Sequence, residues 1–280
     1  MRTVAIVGVG LIGGSFALAL KKAGFDGRVI GVSSPRAIDE ALRHGVIDEA
    51  RPLEAAAPRA ALGDLPQPLL RLVETLGALD AHVQPGALVT DAGSTKAGIV
   101  RAAKDRLRRA RFLGGHPMAG KESRGAAAAD AGLFQDRPYV LTPDPESDLD
   151  EPAVREFAGW VRRIGARPII LSPDRHDRLV ALASHLPQLL STSLAASLAA
   201  APEAGDIQRV AGPGLTDMTR LALSPFDIWA DILATNQTPI RDALTACIRE
   251  LERLRETLDS PDVAALFRSA AAFARRLRPE

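Results

Sequence analysis

VAIVGVGLIG, residues Val4–Gly13, decides the fold of this chain. Val4, Ala5, Ile6 and Val7 form a short apolar run of the kind that makes a strand buried on both faces. Gly8, Gly10 and Gly13 follow in the spacing G-x-G-x-x-G, with Leu11 and Ile12 between the last two. SFALALKKAG then runs with helical periodicity to a stop at Gly24. Strand, glycine turn and helix in that order make a dinucleotide-binding fingerprint. Gly8 allows the tight turn, Gly10 lets a pyrophosphate approach the backbone, and Gly13 lets helix and strand pack closely. The helix start offers unpaired N–H groups and a positive dipole end to phosphates.

The rest of the chain is read outward from that unit. A length of 280 residues suggests two domains, and a hydrophobic fraction of 46% is enough for a core. A net charge of +1 gives no pointer to nucleic acid or to a membrane surface. One cysteine, Cys247, excludes an internal disulfide and suits a reducing, cytoplasmic setting. The chain enters its first strand too early to hold a signal peptide, and no apolar run is expected to reach membrane-spanning length.

Arg28–Val32 reads as the second parallel strand. An acidic residue at its end would hold a ribose 2′-hydroxyl; here the end is Ser33, Ser34, Pro35 and Arg36. Two hydroxyls and a guanidinium suit a 2′-phosphate, which favours NADP over NAD. The alternative is that Ser34-Pro35 merely caps the next helix and leaves the preference open. Val46–Glu49 reads as a short strand or loop. A doubly wound sheet next needs a central strand between Ala55 and Leu70, but Pro58, Gly63, Pro66 and Pro68 interrupt that stretch. The expectation there is a short, irregular element rather than a strand of five or more residues. Leu69–His82 reads as a helix, Ala87–Thr90 as a buried strand, Arg101–Arg111 as a basic helix and Arg111–Gly115 as a further strand. Pro138–Thr142 and Arg167–Leu171 read as strands around a helix at Glu151–Ile164.

After Leu171 the pattern is helical throughout. Ser172-Pro173, Ser224-Pro225 and Ser260-Pro261 are helix starts, and Pro187 should kink a long helix beside His185. Leu244, Cys247, Leu251, Leu254 and Leu258 form one apolar stripe. The expected architecture is an α/β Rossmann-type dinucleotide-binding domain over 1–171, followed by an all-α helical domain over 172–280 suited to dimerisation. Ligands in such sheets bind at the carboxyl ends of the strands. Two polar clusters fall there, Asp91–Lys96 and His116–Ser123. His116, in a Gly-Gly-His-Pro turn after a strand, is a candidate acid–base residue. Ser94 could orient its ring, or could instead cap the helix that begins near Lys96.

VGVGLIGGSFA, VTDAGSTK, GGHPMAGKESRG, PYVLTP, SPDRHDRLVALASHLPQ and DMTRLALSPFDIWADIL resemble, in order and over nearly the whole chain, the motifs of the prephenate/arogenate dehydrogenase family. The resemblance implies NAD(P)-dependent oxidation of prephenate or arogenate with loss of CO2, on the route to tyrosine. It implies His116 as the catalytic histidine and Ser94 as its partner. Arg220 would grip a substrate carboxylate, with Asp217 orienting it. Glu122 would gate entry, and Ser184, His185, Gln188 and Trp229 would line the substrate pocket. The partners implied are the small-molecule substrate and a second copy of the chain, with no metal, nucleic acid or membrane.

Three features depart from the family pattern. Gln188 stands where the family often has a second histidine, which opens the choice between the two substrates, since an amide cannot become cationic. The stretch before Gln67-Pro68 lacks the usual apolar strand, and the second strand lacks its acidic end. Neither a chorismate mutase nor a regulatory ACT domain is expected, so feedback by tyrosine would act at the active site or the dimer interface. The competing readings are another Rossmann-plus-helical NADP-dependent dehydrogenase, such as a β-hydroxyacid dehydrogenase or an imine reductase, and a non-catalytic nucleotide-binding relative.

Overall fold

The structure, a computed structural model, describes residues 2–60, 62–65, 69–121, 123–145 and 149–278. An eight-stranded sheet has the order β3-β2-β1-β4-β5-β6-β7-β8. The strands are β1 Thr3–Val7, β2 Arg28–Val32, β3 Glu49–Ala50, β4 Leu62–Leu65, β5 Leu88–Asp91, β6 Arg111–Pro117, β7 Pro138–Thr142 and β8 Arg167–Ile170. The first six run parallel in the order 3-2-1-4-5-6, which places the strand-order reversal, and hence a ligand crevice, between β1 and β4.

Side-chain alternation along these strands feeds a separate core on each face. Val4 and Ile6 of β1 pack with Phe16 and Leu20 of helix α1 (Leu11–Lys22) and with Phe157 and Trp160 of α6 (Pro152–Arg163). Val7 and Val89 face the other way, onto Leu72, Leu76 and Leu79 of α4 (Leu69–Asp80) and Ile99 and Ala103 of α5 (Ala97–Arg106). Helix α1 ends as its sequence dictates, with Gly24 at φ 87° just beyond the last turn. Helix α2 (Pro35–Arg43) and the four-residue α3 (Leu53–Ala56) complete this half.

Four expectations need correction. The central element is short, as expected, but it is not irregular. β4 has four residues and pairs in parallel with both β1 and β5. Its ladder escapes the prolines, because Pro58 sits in the turn Ala57–Arg59 before it, while Pro66 and Pro68 lie outside the described residues. The basic helix is shifted. It spans Ala97–Arg106, and Arg111 already belongs to β6. His116 is not in a turn after a strand but within β6, whose last residues pair antiparallel with β7. That reversal makes the sheet mixed, with β7 and β8 running against the first six. Finally, Pro173–Ala199 is, by length and composition, apolar enough to cross a membrane. Here it is a helix interrupted by a π turn, with Asp174, Arg175 and Arg178 exposed and with His176, Asp177, His185 and Gln188 buried against the rest of the chain.

The second half is helical: α7 Pro173–Val180, α8 Leu186–Ala199, α9 Ala204–Val210, α10 Pro213–Thr219, α11 Phe226–Thr235, α12 Gln237–Glu256 and α13 Asp262–Arg276. Between α7 and α8, Ala181–His185 form a single wide π turn. Pro187 cannot donate to the carbonyl of Ala183, and the expected distortion beside His185 takes this form. The apolar stripe that begins on α12 meets the chain's own core only at its start, where Leu244 packs against the cluster of Ala181, Ile232, Ile240 and Ala243. Ile240 and Ala243 are buried, whereas Leu251 is 54% exposed.

Candidate active site

Strand β6 carries His116 near its carboxyl end, and the two glycines before it are sterically required. A Cβ on Gly114 would lie 2.2 Å from the Thr142 hydroxyl, and one on Gly115 2.5 Å from the Asp91 carbonyl. Beneath them lies a buried ion pair. Lys96 and Asp91 are both fully buried and in contact, and the Lys96 ammonium also donates to the Gly115 carbonyl at 2.8 Å. Asp91 in turn accepts from the amides of Gly93 (2.8 Å) and Gly115 (3.1 Å). This cluster fixes the loop after β5 against the strand that holds His116.

His116 is oriented from the helical half. Its Nδ1 lies 2.8 Å from Nε2 of His176 on α7. Nδ1 of His176 lies 2.8 Å from Oδ1 of Asp177. The Asp177 carboxylate also accepts from the amides of Lys96 (2.7 Å) and Ala97 (2.9 Å), so it caps α5 from another element. Asn236, between α11 and α12, donates through Nδ2 to the Asp177 carbonyl at 2.8 Å, and the same nitrogen lies 3.2 Å from His185 Nδ1. The edge of the His185 ring meets Trp229, with centroids 5.9 Å apart.

Burial pushes His116 well below the ordinary imidazole value, and the neighbouring His176, Lys96 and His185 add to the shift. His176 is lowered by burial, which outweighs its bond to Asp177. Burial lowers His185 to about 4 against the opposing pull of Asp177. Burial would raise Asp177, but the bonds from His176 and two backbone amides outweigh it and hold the carboxyl below its usual value. These histidines are therefore neutral in the folded protein and take up protons on unfolding. Stability should be full above pH about 6.5 and decline as pH falls toward about 4, because the unfolded state binds more protons in that window. Urea midpoints measured at half-unit pH steps check this; a flat midpoint between pH 6.5 and 5 would contradict neutral buried rings.

Among the expected site residues, Ser94 lies in the loop after β5 and forms no hydrogen bond to His116 among the described residues; the ring's partner is His176. Nor does Ser94 cap α5, a role that Asp177 fills. Ser184 is half-buried in the π turn. Gln188 is buried, and its amide donates to the Leu221 carbonyl at 2.7 Å and to Thr192 at 3.2 Å. Gln188 thereby holds the turn Arg220–Leu223, whose first residue carries the exposed guanidinium. Asp217 precedes it on α10, and its carbonyl accepts from the Arg220 amide. Trp229 donates through Nε1 to Ser224 at 2.9 Å. Glu122 lies outside the described residues. Sequence reasoning missed His176, Asp177 and Asn236. The one available signal was a His-Asp pair one turn before Val180, on the buried stripe of an otherwise polar helix.

The glycine turn fits a dinucleotide. Gly8 adopts φ 112°, and a Cβ on Gly10 would meet nothing within 4 Å, so the backbone lies open above it. Gly10 starts α1 without a side-chain cap, leaving the first-turn amides of Leu11, Ile12 and Gly13 to an outside acceptor. Ser34 caps α2 by accepting from the Ala37 amide at 3.4 Å, while Ser33 and Arg36 are exposed at the end of β2. Among the described residues no cluster of three or more His, Cys, Asp or Glu side chains could hold a metal.

A Rossmann cradle, with a buried histidine near the carboxyl end of a strand in the same sheet, defines a nicotinamide-dinucleotide-dependent oxidoreductase. Residues 16–170 match the family model for the prephenate dehydrogenase nucleotide-binding domain, and residues 172–271 that for the prephenate dehydrogenase dimerization domain. The chain belongs to the prephenate dehydrogenase family. It is 36% identical over 273 residues to a prephenate dehydrogenase of Bacillus subtilis, covering 95% of this chain and 72% of that one. Prephenate dehydrogenase from A. aeolicus, solved in complex with hydroxyphenyl propionate and NAD+, superposes with a TM-score of 0.91 at 28% identity over 99% of both chains. The Synechocystis arogenate dehydrogenase gives 0.86 at 27% identity, covering 99% of this chain and all of that one.

Proposed function

We propose that this chain oxidises prephenate to 4-hydroxyphenylpyruvate, or arogenate to tyrosine, with NAD(P) and release of CO2. The observation that carries this reading is the buried His116 near the carboxyl end of β6, in the same sheet as the Gly8–Gly13 cradle, where burial favours the neutral ring. A nicotinamide dinucleotide held by the Gly8–Gly13 turn and the first amides of α1 would supply the acceptor for the hydride on the hydroxyl-bearing carbon of the substrate. Nε2 of His116 takes the hydroxyl proton as that hydride leaves, which a neutral imidazole can do and an imidazolium cannot. The bond to the ring carboxylate then breaks, CO2 departs, and its electron pair aromatises the ring. The new phenolic oxygen can recover its proton from His116, so the residue is regenerated.

Ser94 sits on the adjoining loop, within the polar cluster after β5, and hydrogen-bonds the substrate hydroxyl. Arg220, oriented by Asp217, supplies a bidentate fork for a carboxylate. Ser184, His185, Gln188 and Trp229 line the pocket, and Glu122 gates it. Arg36 and Ser33 take a 2′-phosphate, which favours NADP, while Ser34 serves as the cap. The nucleotide domain spans 1–171 and the helical domain 172–280. Leu223, Phe226, Leu258 and Phe267 are each more than two-thirds exposed in the single chain. Apolar residues left outside in this number suit a homodimer formed through the helical half, in the cytoplasm.

The test is a four-way assay of prephenate or arogenate against NAD or NADP, following the reduced nicotinamide. Turnover in any combination supports the reading and assigns both preferences; folded protein silent in all four overturns it. Arg220→Ala should raise KM by about 10- to 100-fold, with kcat changed far less, since a charged hydrogen bond to a carboxylate contributes about 1.5–3 kcal/mol. An unchanged KM would make the arginine structural.

A further inference from the structure

We infer that His176 and Asp177 are positioning residues that fix the proton of His116 on Nδ1, so that the lone pair on Nε2 is the one offered to the substrate. The inference deepens the reading of His116 as the base and rests on it for its effect on turnover, but the proton's place is measurable without it.

The chain of contacts has one consistent assignment. An ionised carboxylate only accepts, so at 2.8 Å from Asp177 the His176 Nδ1 must carry the proton. A neutral His176 then presents a bare Nε2, and the 2.8 Å contact to His116 requires the donor to be His116 Nδ1–H. A neutral His116 protonated on Nδ1 has its lone pair on Nε2. With the opposite tautomer, two lone pairs would face each other between the rings, and Nε2–H could donate to the substrate hydroxyl but not receive its proton.

Asp177 cannot readily move away from this role. Its two oxygens are held by the first amides of α5 and its carbonyl by Asn236. His176 itself is fully buried, with no water-facing alternative for either nitrogen. The ring planes of His116 and His176 lie at 68° with centroids 5.0 Å apart, an edge-on approach that suits an in-plane N–H meeting an in-plane lone pair. The outcome resembles in logic the carboxylate–imidazole pair of hydrolytic triads, with a second imidazole placed between carboxylate and base.

The experiment uses the full-length protein, labelled with 15N in its five histidines and saturated with NAD+. Long-range 15N–1H spectra separate the two tautomers, and the His116 resonances are identified by their loss in His116→Asn. The expected spectrum has His116 protonated on Nδ1 and bare on Nε2. His176→Phe, which keeps a ring but removes the acceptor, should shift His116 to the other tautomer or to an averaged pattern. It should lower kcat by about 10- to 100-fold with KM within about two-fold, the scale seen when outer partners of a working histidine are lost. His176→Gln can return a carbonyl oxygen to the same place, and should restore the Nδ1–H pattern and most of kcat. Wild-type His116 protonated on Nε2 would overturn the inference, as would an unaltered His116 pattern in a folded His176→Phe. If the phenylalanine variant does not fold, the wild-type spectrum decides alone. Near-normal turnover in His116→Asn would instead remove the base while leaving the tautomer result intact.

Discussion

His116→Asn is expected to lower kcat by about 10²- to 10⁴-fold while binding of the oxidised dinucleotide stays within a factor of about three. The asymmetry follows from where the two functions sit. The dinucleotide cradle is Gly8–Gly13, at the end of β1 and the start of α1, whereas His116 is on β6, three strands along the sheet from β1. Asparagine approximates the near half of the imidazole, and its amide can still donate to His176, so the local packing survives. It offers no basic nitrogen where Nε2 was. The transition state then loses a group that accepts a proton as the hydride departs, a loss of about 3–5 kcal/mol in the barrier. Stopped-flow turnover and dinucleotide fluorescence titration on the same preparation check both halves. Turnover near that of the wild type would take His116 out of the mechanism.

Asp91→Asn should cost about 3–5 kcal/mol of folding stability, the scale for removing one partner of a buried ion pair. Lys96 and Asp91 are both fully buried and in contact, and the substitution removes the negative charge of that pair. The asparagine amide would also face the ammonium with either a weak acceptor or a repelling NH2. The control is the double change Asp91→Asn with Lys96→Met, which removes both charges of the pair and should recover much of the loss. Urea unfolding of the three proteins gives the comparison. A single variant within about 1 kcal/mol of wild type would show that the pair is not held in a low-dielectric site. The pair's position gives the result functional weight, because it underlies the strand that carries His116.

How much of this was readable beforehand depended on distance along the chain. The Val4–Gly13 unit was legible because strand, turn and helix are contiguous and each has its own local chemistry. The distortion before Pro187, a π turn in the structure, was legible for the same reason, since a proline acts on the carbonyl four residues back. β4 was only half legible. Its partners β1 and β5 supply the ladder, so Leu62–Leu65 becomes a strand without the β-branched run that would announce one. The reversal at β7 left no trace at all, because strand propensity does not encode direction. The largest gap was the orientation of His116. Ser94 was the nearby candidate, but the actual partner lies 60 residues away on a helix of the other half. Likewise α5 starts without a local cap because Asp177, 80 residues beyond Ala97, provides one.

The Asp177 carboxylate on the first amides of α5 also bears on how this architecture can be recombined. The joint between the two family matches, which end at residue 170 and resume at 172, looks like a seam between two exchangeable cassettes. The seam runs between His116 and the groups that hold it. A nucleotide cassette transplanted onto a foreign helical partner would inherit His116 but not its orientation, unless the newcomer brought a His-Asp pair at the same place on its first helix. Functional inheritance in this fold therefore follows that pair of residues rather than the visible joint in the chain.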